Sequence, residues 1–329
     1  ARQWWGACVT PADWRDIWIT ESFGRYGQPL FEEAQYGIEA YHRYIYEDLM
    51  LHTFADADEA SPVYAPLHPG GHTIYEKGTV VLHMLRFVLG DSVFFNLLRS
   101  FSQDYAYGCA TTADFQTTSE RVSGQNLDWF FSEWVYGCGW PEFEYAWNAV
   151  SSGSGWDVSL VMDQVQTVGP VFTMPVEIGL TTAEGDTLLE IWINEAHEEY
   201  EFTVSGMPLS LELDPDHWVL MKVCEVPHAG FDAGQVRTGG IFLRARPTPT
   251  RGTARLLYSV PAPQHLSINI YDTAGRLVTR LFDGPVAAGS GELLWNGSTR
   301  SGGRASPGVY FCRMITEHGT LSERLVLVE

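Results

Sequence analysis

The sequence predicts a multidomain α + β protein in which a helical segment is followed by two antiparallel β-sandwich domains. Three observations support this fold class. Apolar residues recur at helical spacing from about residue 12 to residue 136. From residue 143 they alternate with polar residues over short spans, and a second run of such spans follows a stretch rich in glycine and proline. We therefore expect a helical domain over 1–142, a β-sandwich over 143–226, a linker over 227–240 and a second β domain over 241–329.

The helical segment carries its own start and stop signals. TTADFQTTSERV opens with a threonine that suits a helix N-cap, and SGQNLDWFFSEWVYG ends at a glycine. We predict five or six helices in this segment. PVYAPLHPGGH interrupts the helical pattern with proline and glycine, which predicts an ordered loop instead of another helix.

Short alternating spans separated by turn residues predict the strands of both β domains. In the first domain the spans are WDVSLVMDQVQ, FTMPVEIGLTT, TLLEIWI, YEFTV and LSLELDP. The linker is predicted at PHAGFDAGQVRTGG. In the second domain the spans are ARLLYSV, LSINIYDTAGRLVTRLF, GELLWNG, GVYFCRM and LSERLVLV, joined by turns such as TAG and NGSTRSGG.

Charge and hydropathy exclude two classes of partner. The net charge of the 329 residues is −21, and an acidic surface repels nucleic acid and anionic membranes. The last third is basic, but its arginines are scattered without an aromatic and basic stripe, so we expect no nucleic-acid partner there either. The longest apolar runs, such as TVVLHMLRFVLG, are about half of the roughly 20 residues that a membrane span requires. We expect no membrane span.

Two short stretches near the start of the chain contain a candidate metal-binding motif. QWWG is followed by W-x-D-I-W-I-T-E-S-F-G-x-Y, which resembles the aminopeptidase N type of gluzincin zinc metallopeptidase. In that family the motif is H-E-x-x-H-Q-W-W/F-G, and a later glutamate in W-L-N-E-G-F-A is the third zinc ligand. The register puts that glutamate at Glu21, which the resemblance implies as a metal ligand. Thr20 and Ser22 replace the family's Asn and Gly, and neither position ligates the metal.

The same register puts the second histidine of the motif at Arg2. A guanidinium stays protonated and has no lone pair for zinc. The first histidine and the general-base glutamate would lie before Ala1. The resemblance therefore implies one zinc ion in a full-length member, whereas we expect the chain as given to lack catalytic zinc and to be inactive. We hypothesise that Arg2 forms an ion pair with Glu21, where the metal would lie.

A second family motif follows about fifty residues later. IYEKGTVVLHMLRFVLG contains the family's Y-E/D-K-G at the start of a helix, as Tyr75, Glu76, Lys77 and Gly78. The resemblance implies that Tyr75 is catalytic and stabilises the oxyanion of the tetrahedral intermediate. A phenol suits this task because it donates a hydrogen bond while staying protonated at neutral pH. The alternative is that Tyr75 only packs at a helix start.

The resemblance covers residues 1 to about 225. It implies the helical half of a thermolysin-like catalytic domain, followed by the family's β domain. The activity implied is zinc-dependent hydrolysis of peptide bonds at the N-terminus of peptide substrates, although the G-x-M-E-N strand that holds the substrate amine is not in the chain. An alternative is a non-catalytic pseudopeptidase that binds peptides or surface proteins. A third is a purely structural surface protein, against which the Tyr75 motif argues.

The last ninety residues resemble a different family. LSINIYDTAGRLVTRLFDGPVAAG, ELLWNG, STRSGGRASPGVYFCRM and LSERLVLVE are similar to the immunoglobulin-like C-terminal modules of secreted bacterial enzymes and of flagellar hook-cap proteins. Such modules serve as sorting or attachment tails. This implies a secreted or cell-surface bacterial protein, with cell-surface or secretion machinery as a partner of the module.

Four other histidines are candidate metal ligands. His68 and His72 have the i, i+4 spacing of a metal pair, but the Pro-Gly-Gly between them opposes a helix, so loop structure or substrate contact is favoured. His42 and His83 lie among apolar and aromatic neighbours and are expected in the core or on a helix surface. The acidic run over 195–201 is expected to be a solvated strand and turn.

Overall fold

The computed structural model describes residues 5–56, 58, 60–68, 70–153, 155–226, 242–246, 253–260, 262–287, 289–300, 302–317 and 319–327. The first part is mainly helical. Its α-helices are α1 (Trp18–Tyr36), α2 (Ile38–Tyr44), α3 (Leu51–Asp56), α4 (Gly78–Leu89), α5 (Asp91–Asp104), α6 (Thr112–Ser123) and α7 (Asp128–Phe130). A 3-10 turn covers Trp14–Asp16, and π-helical turns cover Ile45–Met50, Thr73–Lys77 and Phe131–Val135. Two short strands, β1 (Val9–Pro11) and β2 (Gly108–Ala110), pair in parallel.

Local chemistry explains several helix ends. Thr111 caps α6 through a capping box, in which its hydroxyl accepts from the backbone N–H of Asp114 and the Asp114 carboxylate accepts from the backbone N–H of Thr111. The helix ends at Gly124, whose φ of 70° is left-handed. The break between α1 and α2 lies at Gly37, with φ 92°. The segment PVYAPLHPGGH forms a loop up to His72 in its described residues, as predicted.

The middle of the chain is built of strands in two sheets. They are β3 (Glu142–Ser152), β4 (Gly155–Gln164), β5 (Met174–Thr182), β6 (Gly185–Ile193), β7 (His197–Val204), β8 (Pro208–Leu213) and β9 (Lys222–Glu225). One sheet has the order β7-β4-β3-β9, and the other has the order β6-β5-β8. All neighbouring pairs are antiparallel except β3 and β9.

The last region also contains two sheets. Its strands are β10 (Phe242–Arg246), β11 (Ala254–Val260), β12 (Gln264–Asp272), β13 (Leu277–Val286), β14 (Gly289–Trp295), β15 (Gly308–Thr316) and β16 (Gly319–Leu327). The orders are β10-β11-β14 and β13-β12-β15-β16, with antiparallel neighbours throughout. The predicted linker over 227–240 lies outside the described residues.

Two hydrophobic cores divide the described residues. The first runs from Val9 to Leu220 and joins the helices to the sheets of the middle region. The buried residues of the second lie in the last region, from Leu243 to Leu327, and Leu209 of β8 in the middle region packs against them. The mixed helix and strand class predicted from the sequence is confirmed, whereas its division into two sandwiches stays a prediction. Across the described residues, no helix combines the length and the apolarity that a membrane crossing demands.

Candidate active site

The first motif folds around the N-terminal end of α1, which carries Glu21. The ring of Trp5 packs against Phe23 with ring centroids 4.9 Å apart. Gly6 lies so close to Thr20 that a Cβ there would be 2.5 Å from the Thr20 methyl group, and its φ is 99°. Glycine is therefore needed at position 6. The two halves of the motif are in direct contact, and Glu21 is half-buried in the first turn of α1.

A buried polar contact fixes the start of α1 against α6. The indole N–H of Trp18 donates to the hydroxyl of Thr112 at 2.9 Å. Thr112 in turn donates from its backbone N–H and its hydroxyl to Asp16, both at 2.8 Å. All three side chains are buried, so these hydrogen bonds are shielded from water. They fix the position of the turn that carries Glu21.

Tyr75 lies in the π-helical turn that precedes α4. Its neighbours Ile74 and Lys77 are fully buried, while Tyr75 itself is half-buried. π-Helical turns are rare and are often found at functional sites. The sequence predicts the helix start at this motif, but it does not predict the π turn.

Short hydrogen bonds join the Tyr75 turn to the Glu21 helix. The hydroxyl of Ser22 donates to the carbonyl of Ile74 at 2.5 Å. The hydroxyl of Thr79 donates to the carbonyl of Tyr75 at 2.5 Å and is 3.1 Å from the carbonyl of Ser22. The predicted ligand and the predicted oxyanion donor therefore belong to two backbone segments in direct contact. Ser22 is at a non-ligating position of its motif and Thr79 belongs to no motif, so the sequence did not indicate that these two residues join the segments.

Gly78 permits this contact. A Cβ at position 78 would be 2.1 Å from the Ser22 hydroxyl oxygen and 3.1 Å from the Ser22 Cβ. The backbone of Gly78 is α-helical, with φ −63°, so close approach and not backbone strain is the reason for glycine here.

Charged side chains lie beside the two predicted residues. Glu76 is within 3.0 Å of His72 Nδ1 and 3.8 Å of the Arg25 guanidinium. Arg25 lies one turn after Glu21 on α1, and its guanidinium is 5.8 Å from the Tyr44 ring centroid. The i, i+4 relation of Glu21 to Arg25 was visible in the sequence and could have identified Arg25.

The described donor set does not fit a catalytic zinc ion. Such an ion needs three protein ligands that converge on one point. Glu21 is one carboxylate, and the described ranges contain no group of three or more His, Cys, Asp and Glu side chains that could hold a metal. Arg2 lies outside the described residues, so the hypothesis of its ion pair with Glu21 stays a prediction.

The other histidines fall into two environments. His72 pairs with Glu76 next to the Tyr75 turn, while His68 is exposed in the preceding loop. His83 is fully buried and His42 nearly so, as expected for core positions. Burial lowers the pKa of His42 and lowers the pKa of His83 well below its usual value.

His83 connects the helices to the middle region. Its Nε2 is 3.0 Å from the carbonyl of His217, and its Nδ1 is 2.7 Å from the hydroxyl of Tyr41. A carbonyl only accepts, so Nε2 carries the hydrogen and the neutral ring accepts from Tyr41 at Nδ1. The ring also stacks on Trp218, with centroids 4.8 Å apart and planes 7° apart.

Two family models match parts of this chain. Residues 1–134 match the Peptidase family M1 domain, and residues 249–319 match the FlgD Ig-like domain. The predicted resemblances are confirmed. The M1 segment, residues 1–134, contains both the Glu21 helix and the Tyr75 turn.

Proteins similar to this chain include some that are named as peptidases and one that is not. Putative aminopeptidase-2 of Caenorhabditis elegans is 28% identical over 199 residues, covering 56% of this chain and 10% of that protein. Aminopeptidase M1-C of Oryza sativa is 23% identical over 239 residues, covering 68% of this chain and 26% of that protein. Transcription initiation factor TFIID subunit 2 of Schizosaccharomyces pombe is 28% identical over 181 residues, covering 51% of this chain and 15% of that protein. The chain therefore spans about a quarter or less of these relatives.

A solved structure shares the fold of a large part of this chain. Legionella pneumophila aminopeptidase A, in complex with aspartic acid, superposes with a TM-score of 0.55 at 19% identity. The match covers 69% of this chain and 26% of that one. At this identity the likeness shows the fold alone.

Proposed function

We propose that this protein is a zinc metallopeptidase of the aminopeptidase N type, which hydrolyses peptide bonds at the N-terminus of peptides when the M1 segment is joined to the upstream half of the zinc motif. One observation carries the proposal. The hydrogen bonds of Ser22 and Thr79 hold the Tyr75 turn directly against the helix of Glu21. A family resemblance in which these two residues lay far apart would have little chemical meaning.

The two residues have separate roles in this proposal. Tyr75 donates a hydrogen bond from its phenol to the oxygen that gains negative charge in the tetrahedral intermediate. The packed turn holds the phenol in place before the substrate arrives, so little reorganisation is needed during the reaction. Glu21 is the carboxylate that we assign as a metal ligand, and peptides are the substrates. The chain as given has one of three ligands and is expected to be inactive alone.

A matched pair of tyrosine variants tests the role of Tyr75. The chain is expressed with the residues encoded upstream of Ala1, and release of a fluorescent amine from aminoacyl substrates is measured. Loss of one oxyanion donor lowers kcat by roughly a hundred-fold to a thousand-fold, so Tyr75→Phe should do so. Tyr36→Phe is the control, because Tyr36 is 71% exposed at the end of α1. An extended chain that binds zinc yet hydrolyses nothing, or a Tyr75→Phe variant of full activity, contradicts the proposal.

A second candidate is a pseudopeptidase that binds peptides or surface proteins without cleaving them. Arg2 at the position of a zinc-binding histidine favours it, as does the similarity to TFIID subunit 2, a protein not named as a peptidase. Zinc content of the extended chain separates the two candidates. An extended chain with Arg2 that binds peptides without zinc supports the pseudopeptidase, and Arg2→His should then restore metal binding.

We also propose the domain organisation and the location of the protein. The paired sheets of the middle region and those of the last region each form a β-sandwich, and the last one is an immunoglobulin-like sorting or attachment module. This supports a secreted or cell-surface bacterial protein that uses the module with cell-surface or secretion machinery. Fractionation of the source cells, with antibody against the chain, tests this location. Recovery only from the cytosol contradicts it.

A further inference from the structure

The four-stranded sheet β13-β12-β15-β16 has one face on the second core and one face directed outward. Leu266, Ile268 and Ile270 of β12 are fully buried in that core. Because side chains alternate along a strand, the intervening residues of β12 and its neighbours point the other way. We call this outward side the outer face and define it by Asn269, Tyr271, Arg280, Phe311, Arg313 and Arg324.

Strand register arranges the outer face in two rows. Asn269 pairs with Arg280 on β13 and with Arg313 on β15, so an asparagine lies between two arginines. In the next row Tyr271 pairs with Phe311. Phe311 pairs in turn with Arg324 on β16. The outer face thus combines three guanidinium groups with two aromatic rings.

Two of these guanidinium groups have no acidic partner among the residues that the structure describes. Within the part of the chain that the structure describes, Arg280 pairs with Asp283 at 2.5 Å, whereas no carboxylate lies within ion-pair distance of Arg313 or Arg324. Arg313 lies over the Tyr271 ring, 5.2 Å from its centroid. The last third of the chain has eleven arginines against six acidic residues, although the whole protein is acidic. The face is therefore a positive area on a negative molecule.

Asn269 supplies an independent sign of a ligand. It lies between the two arginines and is only 4% exposed. Its Nδ2 donates to the hydroxyl of Ser267 at 2.9 Å, and its Oδ1 has no hydrogen-bond partner among the described residues. Exchanging the two amide atoms would only move the unsatisfied position to the nitrogen. A buried amide atom without a partner is uncommon and calls for one from outside the fold.

Size and exposure limit what can bind there. Phe311 and Ile315, which flank Arg313 along β15, are 38% and 40% exposed, so the face presents apolar side chains on either side of that arginine. Four strands spaced about 4.8 Å apart make a surface roughly 15 Å wide. A stable protein interface needs about 800 Å² on each partner, which is more than such a strip offers. A narrow, extended chain fits it better than a folded domain.

We propose that the outer face binds an acidic polysaccharide. Acid groups of the sugar chain pair with Arg313 and Arg324, because a guanidinium matches a carboxylate through two parallel hydrogen bonds. The C–H side of a sugar ring lies on the exposed ring of Phe311, beside the Tyr271 ring over which Arg313 lies. A sugar hydroxyl donates to the buried Oδ1 of Asn269 once the neighbouring arginine side chains turn toward the acid groups and uncover it. This binding site is independent of the proposed peptidase activity, so either can fail alone.

Calorimetric titration of the whole chain with three polymers tests the proposal. The probes are polygalacturonate as the acidic glycan, dextran as a neutral glycan and poly-L-glutamate as an acidic peptide. Polygalacturonate should bind, and binding should weaken with salt. Each Arg→Gln change at Arg313 or Arg324 should weaken it by roughly tenfold, since one charge-assisted contact is lost. Arg99→Gln removes the same charge from an exposed site on α5 and should leave affinity unchanged.

Each contrary result overturns a stated part of the inference. Absence of polygalacturonate binding, or equal weakening by Arg99→Gln and Arg313→Gln, removes the site from the outer face. Poly-L-glutamate binding as tightly as polygalacturonate makes the ligand an acidic peptide and contradicts the glycan. Dextran binding with equal affinity contradicts the role of the arginines. Circular dichroism of every variant confirms that the sheets remain folded.

Discussion

The Ser22 hydroxyl lies against the backbone of Gly78, 2.1 Å from where a Cβ would be, and donates a hydrogen bond to the carbonyl of Ile74 at 2.5 Å. Gly78→Ala should therefore lower the free energy of unfolding by about 1–3 kcal/mol, despite the higher helix propensity of alanine, because overpacking outweighs it. Urea unfolding measures the change.

The control for this prediction is the same Gly78→Ala substitution made in a chain that also carries Ser22→Gly. In a Ser22→Gly chain the nearest side chain to the new methyl group is that of Val63, whose Cγ1 is 3.4 Å away. Gly78→Ala should then cost far less, and the double-mutant cycle should show a coupling energy. Equal costs in both backgrounds would show that the contact does not explain the glycine.

Arg86 is expected to stabilise the helical region strongly. The residue is 2% exposed, and its guanidinium binds Glu33 at 2.6 and 2.8 Å and Asp91 at 2.7 and 2.9 Å. Arg86→Met leaves both carboxylates without their cation and should cost about 2–4 kcal/mol, somewhat less than for fully buried partners because both carboxylates reach solvent. Arg121→Met is the control. It breaks an exposed ion pair with Asp104 and should cost less than about 1 kcal/mol.

Acid should destabilise the region around His83. Burial lowers the pKa of His83 well below its value in the unfolded chain. As the pH falls through about 6.5, the imidazole is therefore protonated in the unfolded chain while it stays neutral in the folded one. This contribution to stability is present above pH 6.5 and is lost below it, at up to about 1.4 kcal/mol per pH unit. Urea unfolding at pH 7 and pH 5 should show a smaller difference for His83→Gln than for the parent.

The nearby carboxyl group of Asp214 changes the stability with pH in the opposite direction, so a comparison of variants must leave this group unaltered. Burial raises the pKa of Asp214 to about 7, although the backbone N–H groups of Trp218 and Val219 donate to it at 2.7 and 2.8 Å. Its stability contribution is present at low pH and is lost as pH rises through 7. The group is unchanged in His83→Gln, so it cancels in the comparison. An unchanged pH dependence in that variant would assign the acid sensitivity to other groups.

The five cysteines should differ widely in reactivity. All are free thiols, but Cys312 is fully buried in the second core and burial raises its pKa to about 12, whereas Cys109 is exposed on β2. Because the thiolate is the reactive form, a disulfide reagent should label Cys109 readily and Cys312 only after unfolding. Mass spectrometry of the labelled peptides measures this. Labelling of native Cys312 at the rate of Cys109 would contradict the buried position.

The structural features that the sequence predicted correctly depend on residues close together in the chain. The threonine cap of α6, the loop before His72 and the helix start at Tyr75 all follow from neighbours within a few residues. The contacts that pack these elements together join residues far apart in the chain. Trp218 stacks on His83 from 135 positions away along the chain, and no single-sequence pattern encodes such a pairing. The π turn also escaped prediction, because its extra residue does not change the apolar spacing enough to notice.

The two hydrophobic cores indicate which parts of the protein unfold together on heating. Trp218 contacts His83 and Phe87, with ring centroids 4.8 and 5.0 Å apart, so a residue of the middle region completes the packing of α4. Neither part can lose its structure without exposing the other, and we expect residues 5–226 to melt as one cooperative unit. The last region, with its own core, should give a second calorimetric transition. Leu209 of β8 packs against the core of the last region, so removing that region should leave the first core intact but newly expose this leucine to water.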